Sequence, residues 1–359
     1  MKTLPDLAEK RERREIRGSS GLSARETVLF LLALLLTMLL CISTGSVHLP
    51  PEDILRVLSG RILRADLPEQ LMKADAILSV RIPRVLCTAL EGASLSLAGA
   101  AMQGLLKNPL ADGSTLGVSS GASLGASLAI ALGVTFPGLP FAGTELSAIL
   151  FAFLSLILVL FLSYRLDSGL STNTIILIGV IYSMFVSSLM NIVVTFASDK
   201  LHSIIFWAMG SLASSTLPKA ALLSLTLLIC GGILFAHTVE LNAFAVGEDN
   251  ARHIGVNVPR VRLLVLITVS ALIGICVSIG GSIGFVGLVT PHLVRLITGP
   301  NHRRLLPGAL FFGAVFLLLS DLIARTLLRP IELPIGVVTN LAGAIVFLVI
   351  FSRTRGGRP

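Results

Sequence analysis

LLVLITVSALIGICVSIGGSIGFVGLVTPHLV, residues 263–294, runs for 32 residues without Lys, Arg, Asp or Glu. A helix needs about 20 apolar residues to cross the hydrocarbon layer of a bilayer. The run is therefore too long for one ordinary span and short for two. Charge-free or nearly charge-free runs of the usual size flank it at 27–47, 85–106, 114–135, 146–164, 174–197 and 220–239 before it, and at 305–324 and 333–352 after it. The orientation of everything downstream depends on how 263–294 is divided.

The positive charges decide the division. With two spans in 263–294 there are ten in all, both termini lie on one side, and that side carries 18 Lys and Arg against 10 on the other. With one span the count becomes 14 against 14. Cytoplasmic loops are enriched in Lys and Arg, so the sequence predicts an all-α polytopic membrane protein of about ten spans with both termini cytoplasmic. Gly280, Gly281 and Pro291 supply the breaks that two short, irregular helices need.

Composition agrees with this reading. Of 359 residues 54% are apolar and only 13% charged, whereas soluble domains carry roughly a quarter charged residues. The net charge of +8 is distributed as a topology signal between apolar runs, and aromatic residues are only 6%, so no nucleic acid partner is expected. Cys41, Cys87, Cys230 and Cys276 all sit in apolar runs and read as small core residues, and the six histidines show no metal-ligand spacing. Residues 1–26 read as a flexible basic cytoplasmic tail, 27–352 as a single transmembrane domain and 353–359 as a second cytoplasmic tail. The outer segment 48–80 is long enough for short surface helices.

Catalytic chemistry finds no footing. There is no G-x-x-x-x-G-K-[ST] phosphate loop, nucleophile elbow or His-Glu-x-x-His, so the chain is expected to be no enzyme and to carry no cofactor. Glu91 and Asp321 are the acids set well inside apolar runs, where an ion-coupled carrier would place a titratable group. Arg325 follows Asp321 by four residues, which favours a structural ion pair. Gly113, Gly117, Gly121 and Gly125 recur every four residues, as in close helix packing. In the cytoplasmic loop 240–262, Gly247, Ala251 and Gly255 also fall every four residues and would give a short helix one small-residue face, suited to docking against another protein.

Four segments, in order, carry a resemblance. They are RIPRVLCTALEGASLSLAGAAMQGLLKNPLADGSTLGVSSGASLG (81–125), VGEDNARHIGV (246–256), GSIGFVGLVTPHLVRLITGPNHRRLLPGAL (281–310) and IELPIGVVTNLAGA (331–344). Together they closely resemble the FecCD-type permeases of ATP-binding cassette importers for iron siderophores, haem and cobalamin. The resemblance implies a type II importer architecture in the bacterial cytoplasmic membrane: a ten-helix subunit paired with a second copy or paralogue. Two ATPase subunits, which hold ATP and Mg, would sit beneath, and a periplasmic or lipid-anchored binding protein would dock outside. It places a cytoplasmic gate at Asn108 and Leu110 of KNPLAD and at Thr172 and Asn173 of GLSTNT, where the cobalamin relative has Ser in place of Asn173. It assigns ATPase coupling to the loop containing Gly247, Ala251 and Gly255. It aligns Arg81, Arg84 and Arg325 with arginines that meet acidic residues of the binding protein. The expected cargo is an iron siderophore, with haem or cobalamin as the alternative and an ion-coupled secondary carrier as the competing class.

Overall fold

A computed structural model describes residues 21–45, 49–63, 68–136 and 142–355. The 1–20 part of the amino-terminal tail and the end of the carboxy-terminal tail lie outside the described residues. The helices in chain order are α1 (Ala24–Ser43), α2 (Pro51–Leu63), α3 (Met72–Leu105), α4 (Val118–Leu132), α5 (Ala142–Leu166), α6 (Thr172–Phe196) and α7 (Leu201–Ala208). They continue with α8 (Leu217–Ala236), α9 (Thr238–Val246), α10 (Glu248–His253), α11 (Val258–Gly280), α12 (Val286–Thr298), α13 (His302–Thr326) and α14 (Ile335–Arg355). Seven of them (α1, α3, α5, α6, α8, α11 and α13) are long and apolar enough to cross a membrane, and α4, α12 and α14 contribute three shorter apolar helices. These ten fall on the ten predicted runs.

Local chemistry sets where the helices begin. Ser23 caps α1 in a reciprocal box with Glu26, whose backbone N–H donates to Ser23 Oγ at 3.3 Å while Ser23 N–H donates to Glu26 Oε2 at 2.8 Å. Thr216, Asn257 and Asn301 cap α8, α11 and α13 through side-chain oxygens.

The 263–294 run divides at the glycines. Helix α11 stops at Gly280, Gly281 takes φ +74°, Phe285 takes φ +65°, and α12 starts at Val286. Pro291 lies inside α12, so it is not one of the breaks the sequence suggested. A proline inside a helix leaves the carbonyl four residues earlier without its usual donor. That carbonyl belongs to Gly287, and Gln103 Nε2 of α3 donates to it at 3.2 Å and to Leu288 O at 3.1 Å.

Helix α3 is the hub. Its apolar window is 89% buried, against 11% for α1 and 22% for α6. It begins at Met72, well before the predicted start at 85, so RIPR forms part of the helix and Pro83 lies within it. Helix α2 packs on this outer extension through Ile54, Val57, Leu71 and Leu78. Small residues let other backbones close in: a Cβ on Gly99 would overlap the Gly287 backbone of α12, and one on Gly92 would overlap Gly313 of α13. Lipid gives helices no hydrophobic drive to associate, so close packing of this kind supplies the attraction. The four-residue glycine series is also a packing feature, although not a single helical stripe. Gly113 and Gly117 precede α4 and face Ile273 and Tyr182, while Gly121 and Gly125 lie within α4 against α5.

Two polar ends close the bundle. At the inner end Arg304 of α13 pairs with Glu26 of α1 at 2.5 Å. At the outer end the carboxy-terminal carbonyls of α1 meet arginines of α3 and α13. Leucines 31, 35, 36 and 39 of α1 and Leu150 and Ile157 of α5 are exposed and form part of the lipid-facing surface.

The Gly99 contact generates a test. Gly99→Val should overpack α3 against α12 at a cost of about 1–3 kcal/mol or more. Gly232→Ala, where nothing lies within 4 Å, should be neutral or stabilise by up to about 1 kcal/mol. Thermal unfolding of the purified detergent-solubilised proteins measures both; equal melting temperatures for the two variants would contradict the hub role of α3.

Candidate gate and coupling site

The inner end of α3 leads straight into the first candidate gate segment. Lys107 takes a left-handed φ of 49°, and Asn108 then turns the chain, its Oδ1 accepting from Leu110 N–H at 2.9 Å and its carbonyl from Ala111 N–H at 3.0 Å. Leu110 is thrust outward, 50% exposed, while Asn108 is half-buried. Asp112 and Thr115 bond to each other and close the turn.

The second gate segment joins α5 to α6. The Asp167 carboxylate accepts from Ser171 N–H at 3.0 Å and Gly169 N–H at 2.9 Å. Hydrogen bonding from Ser171, through its side chain first and then its N–H, and from the Gly169 N–H holds the Asp167 carboxyl below its usual range. Leu170 takes φ 51°, and α6 then opens with Thr172 half-buried and Asn173 exposed. The 3-10 turn Gly113–Leu116 lies on α6 where Gly179 leaves room for the Thr115 carbonyl, so both gate segments flank the inner half of α6.

The coupling loop folds as α9 and α10, and here the predicted small-residue face is corrected. Helix α10 has six residues, Gly247 is its N-cap, and Gly255 lies beyond its end with φ +89°. Ala251 is wholly buried in the chain's own core. A four-residue spacing makes one face only where the helix continues through it, and this helix stops too soon. The outward surface consists of Asp249, Asn250, Arg252 and His253, bracketed by Val246 and Ile254 at 74% and 68% exposure. Behind it, Glu248 pairs with Arg262 at 2.7 Å and with Arg252 at 2.9 Å. Burial pushes the Glu248 carboxyl up, but bonding and charge from Arg262 and then Arg252 outweigh it and leave it below the usual range. The pairing thus persists at neutral pH and is lost only as pH falls through that depressed value. Asn242 of α9 accepts from His302 N–H at 2.8 Å, and the His302 ring abuts Gly104 just before the first gate segment.

Sequence reasoning did not single out one surface. Ser183, Ser187 and Asn191 of α6 follow one another at four-residue intervals, with Ser187 and Asn191 exposed. Thr115, Ser120, Val180 and Met184 join Ser183 and Ser187 around a groove there. The four-residue period was the available signal, hidden by the apolar residues between. At the outer end a cavity of about 600 Å³ lies between α7 and the ends of α4, α5 and α11; Phe206, Trp207, Ser203 and Ser214 are among its lining residues.

The outer arginines are engaged within the chain. Arg84 reaches Asp321 at 2.9 Å and Glu332 at 2.8 Å with 12% of its side chain exposed. Arg325 reaches Asp321 at 2.9 Å and the Cys41 carbonyl at 3.2 Å. Arg81 is buried and donates to the Ile42 carbonyl at 2.9 Å. Asp321, 1% exposed, is shared by Arg84 and Arg325.

The profile of the FecCD transport family matches residues 32–353. The chain belongs to that family. It is 41% identical over 330 residues to the ABC transporter permease protein YvrB of Bacillus subtilis (strain 168), covering 90% of this chain and 93% of the relative. It is 37% identical over 340 residues to the molybdate import system permease protein MolB of Haemophilus influenzae, covering 92% and 97%. A solved inward-facing structure of a transporter described as metal-chelate type aligns with TM-score 0.77 at 34% identity, over 90% of this chain and 97% of that one. A multi-pass ABC transporter permease of the bacterial cytoplasmic membrane accounts for the ten apolar helices.

In this FecCD permease the Arg84–Asp321–Arg325 knot joins α3 to α13, and removing its centre leaves buried Arg325 without its carboxylate and Arg84 with only the half-exposed Glu332. Asp321→Asn should cost about 3–5 kcal/mol. Glu332→Gln, at a carboxylate 46% exposed, should cost under about 1 kcal/mol. Thermal unfolding of the purified permease compares them, and a similar small loss for both would show that the knot is not structural.

Proposed function

We propose that this chain is the membrane-spanning subunit of an ATP-driven importer for a ferric siderophore, working beside a second copy around a shared pathway. The supporting observation is the pair of exposed polar side chains Ser187 and Asn191, one turn apart on α6, a helix only 22% buried within the chain along its apolar length. Leaving the Ser187 hydroxyl and the Asn191 amide against hydrocarbon would be costly. Facing a second α6 across a hydrated path, they form a neutral, weakly binding wall. Such a wall suits a bulky chelate that wraps its metal's charge.

At the foot of that wall Asn108, Leu110, Thr172 and Asn173 form the inner gate. Two ATPase subunits, carrying ATP and Mg, dock on the exposed surface of α10 between Val246 and Ile254. A binding protein delivers the chelate at the outer end. An ion-coupled carrier is the weaker reading because the chain belongs to a family of ABC permeases, Asp321 is committed to two arginines, and Glu91 is wholly buried against Gly280 of α11. Selection among siderophore, haem and cobalamin rests with the binding protein.

Reconstitution with the ATPase subunits and binding protein tests this reading. Vesicles supplied with ATP should accumulate a ferric siderophore in preference to haem, cobalamin or molybdate, and an ion gradient alone should drive nothing. Uptake driven by the gradient without ATP would refute the importer, and preference for another cargo would refute the siderophore assignment. Ile254→Arg should release the ATPase subunits, whereas Ala251→Trp should destabilise the permease itself. Cysteines at position 110 should crosslink the two copies in at least one nucleotide state; their failure to do so in every state would remove Leu110 from the gate.

A further inference from the structure

We propose that Arg262 is the positioning residue that transmits movement of the ATPase-facing helix to the inner gate; this rests on the coupling and gate positions proposed above. Arg262 lies in the first turns of α11 and is 1% exposed, among the largest wholly buried side chains of the protein. Its guanidinium binds two separate elements at once. Nη2 donates to Glu248 Oε2, at the first residue of α10, at 2.7 Å. Nη1 donates to the carbonyls of Gly169 at 3.0 Å and Leu170 at 2.6 Å. Only Nε lacks an acceptor.

The connection has a direction because both ends are held. Glu248 also takes Arg252 Nη2 at 2.9 Å, so its carboxylate is fixed to the helix that carries it. The 167–171 loop is held from its other side by Asp167, which grips Gly169 and Ser171, and the next two residues are Thr172 and Asn173. A planar guanidinium presents donors at fixed angles. If α10 shifts alone, a buried cation loses either its carboxylate or its two carbonyls, which low-dielectric surroundings penalise. Moving α10 and the loop together keeps all three bonds. The side chain therefore acts as a strut between the surface that meets the ATPase and the residues that open or close the path.

The test uses the complete transporter in vesicles, with ATPase subunits and binding protein, and compares Arg262→Gln, Arg262→Lys and Glu248→Gln. Four quantities are read: ATPase subunits co-purifying with the permease, KM for ATP, maximal hydrolysis, and ferric siderophore moved per ATP. Arg262→Gln should keep the subunits bound and KM within twofold while transport per ATP falls at least tenfold. Arg262→Lys, retaining charge and donors, should recover transport per ATP to within about threefold of the parent. Glu248→Gln should show a smaller loss of the same kind. A transport-to-hydrolysis ratio within twofold of the parent in Arg262→Gln would overturn the proposal. So would equal loss of assembly, hydrolysis and transport in both Arg262 variants, the pattern of a merely structural residue. If Arg262→Gln fails to fold, Glu248→Gln decides, because its side chain is 31% exposed and an unchanged ratio there also overturns the strut. Failure of the coupling reading itself looks different: Ile254→Arg would then leave the ATPase subunits bound.

Discussion

The close approach of α3 and α12, where Gly99 meets Gly287, is the contact on which the rest of the bundle depends. Helix α12 has only 13 residues, too few to cross the membrane alone, and it carries an internal proline. Such a helix is tolerated at membrane depth only when protein surrounds it and its freed carbonyls find donors. The missing side chains at 99 and 287 bring Gln103 close enough to satisfy Gly287 O and Leu288 O, and Gln103 Oε1 in turn accepts from Arg295 at 3.1 Å. Thr290 and Ser96 complete the seam with a 2.6 Å bond. Packing and polar satisfaction are thus one arrangement, because each is possible only at the distance that the glycines permit.

The charges obey the same constraint at the two ends. Outside, Asp321 neutralises Arg84 and Arg325; inside, Glu26 meets Arg304 and Glu248 meets Arg262. Of these pairs Arg84–Asp321 and Arg304–Glu26 bind elements distant in sequence, the others are local, and together they leave the exposed stripe of α6 uncharged. A wide path for a neutral-surfaced chelate is compatible with a bundle whose ionic contacts are confined in this way. The Arg262 contact differs from the outer knot because its partners lie on two short cytoplasmic elements, each beside a surface assigned to the transport cycle.

Much of the fold could be read in the sequence because hydrocarbon imposes a simple rule: charge-free length gives the spans, and Lys and Arg give their orientation. The ten-span division of 263–294 followed from that rule. The length of α3 did not, because Lys73, Asp75, Arg81 and Arg84 look like loop residues until α2 and the α1 terminus are seen packed against them. The arginine partners were only partly legible: Asp321 to Arg325 is a local spacing, whereas Arg84 meets Asp321 across 237 residues. Ala251 misled because a four-residue period was extended through a helix of only six residues. The α6 stripe used the same period correctly, yet hydroxyls in an apolar span look alike whether they face a helix or water.

Water accessibility along α6 tests the pathway most directly. In a cysteine-free permease reconstituted with its partners, single cysteines at 187 and 191 are compared with cysteines at 185 and 192, which lie further round the helix. A membrane-impermeant thiol reagent should label positions 187 and 191, and bound chelate should protect them during turnover, while 185 and 192 stay unlabelled in lipid. Equal labelling of all four positions, or labelling only at 185 and 192, would contradict a transport path along this face of α6.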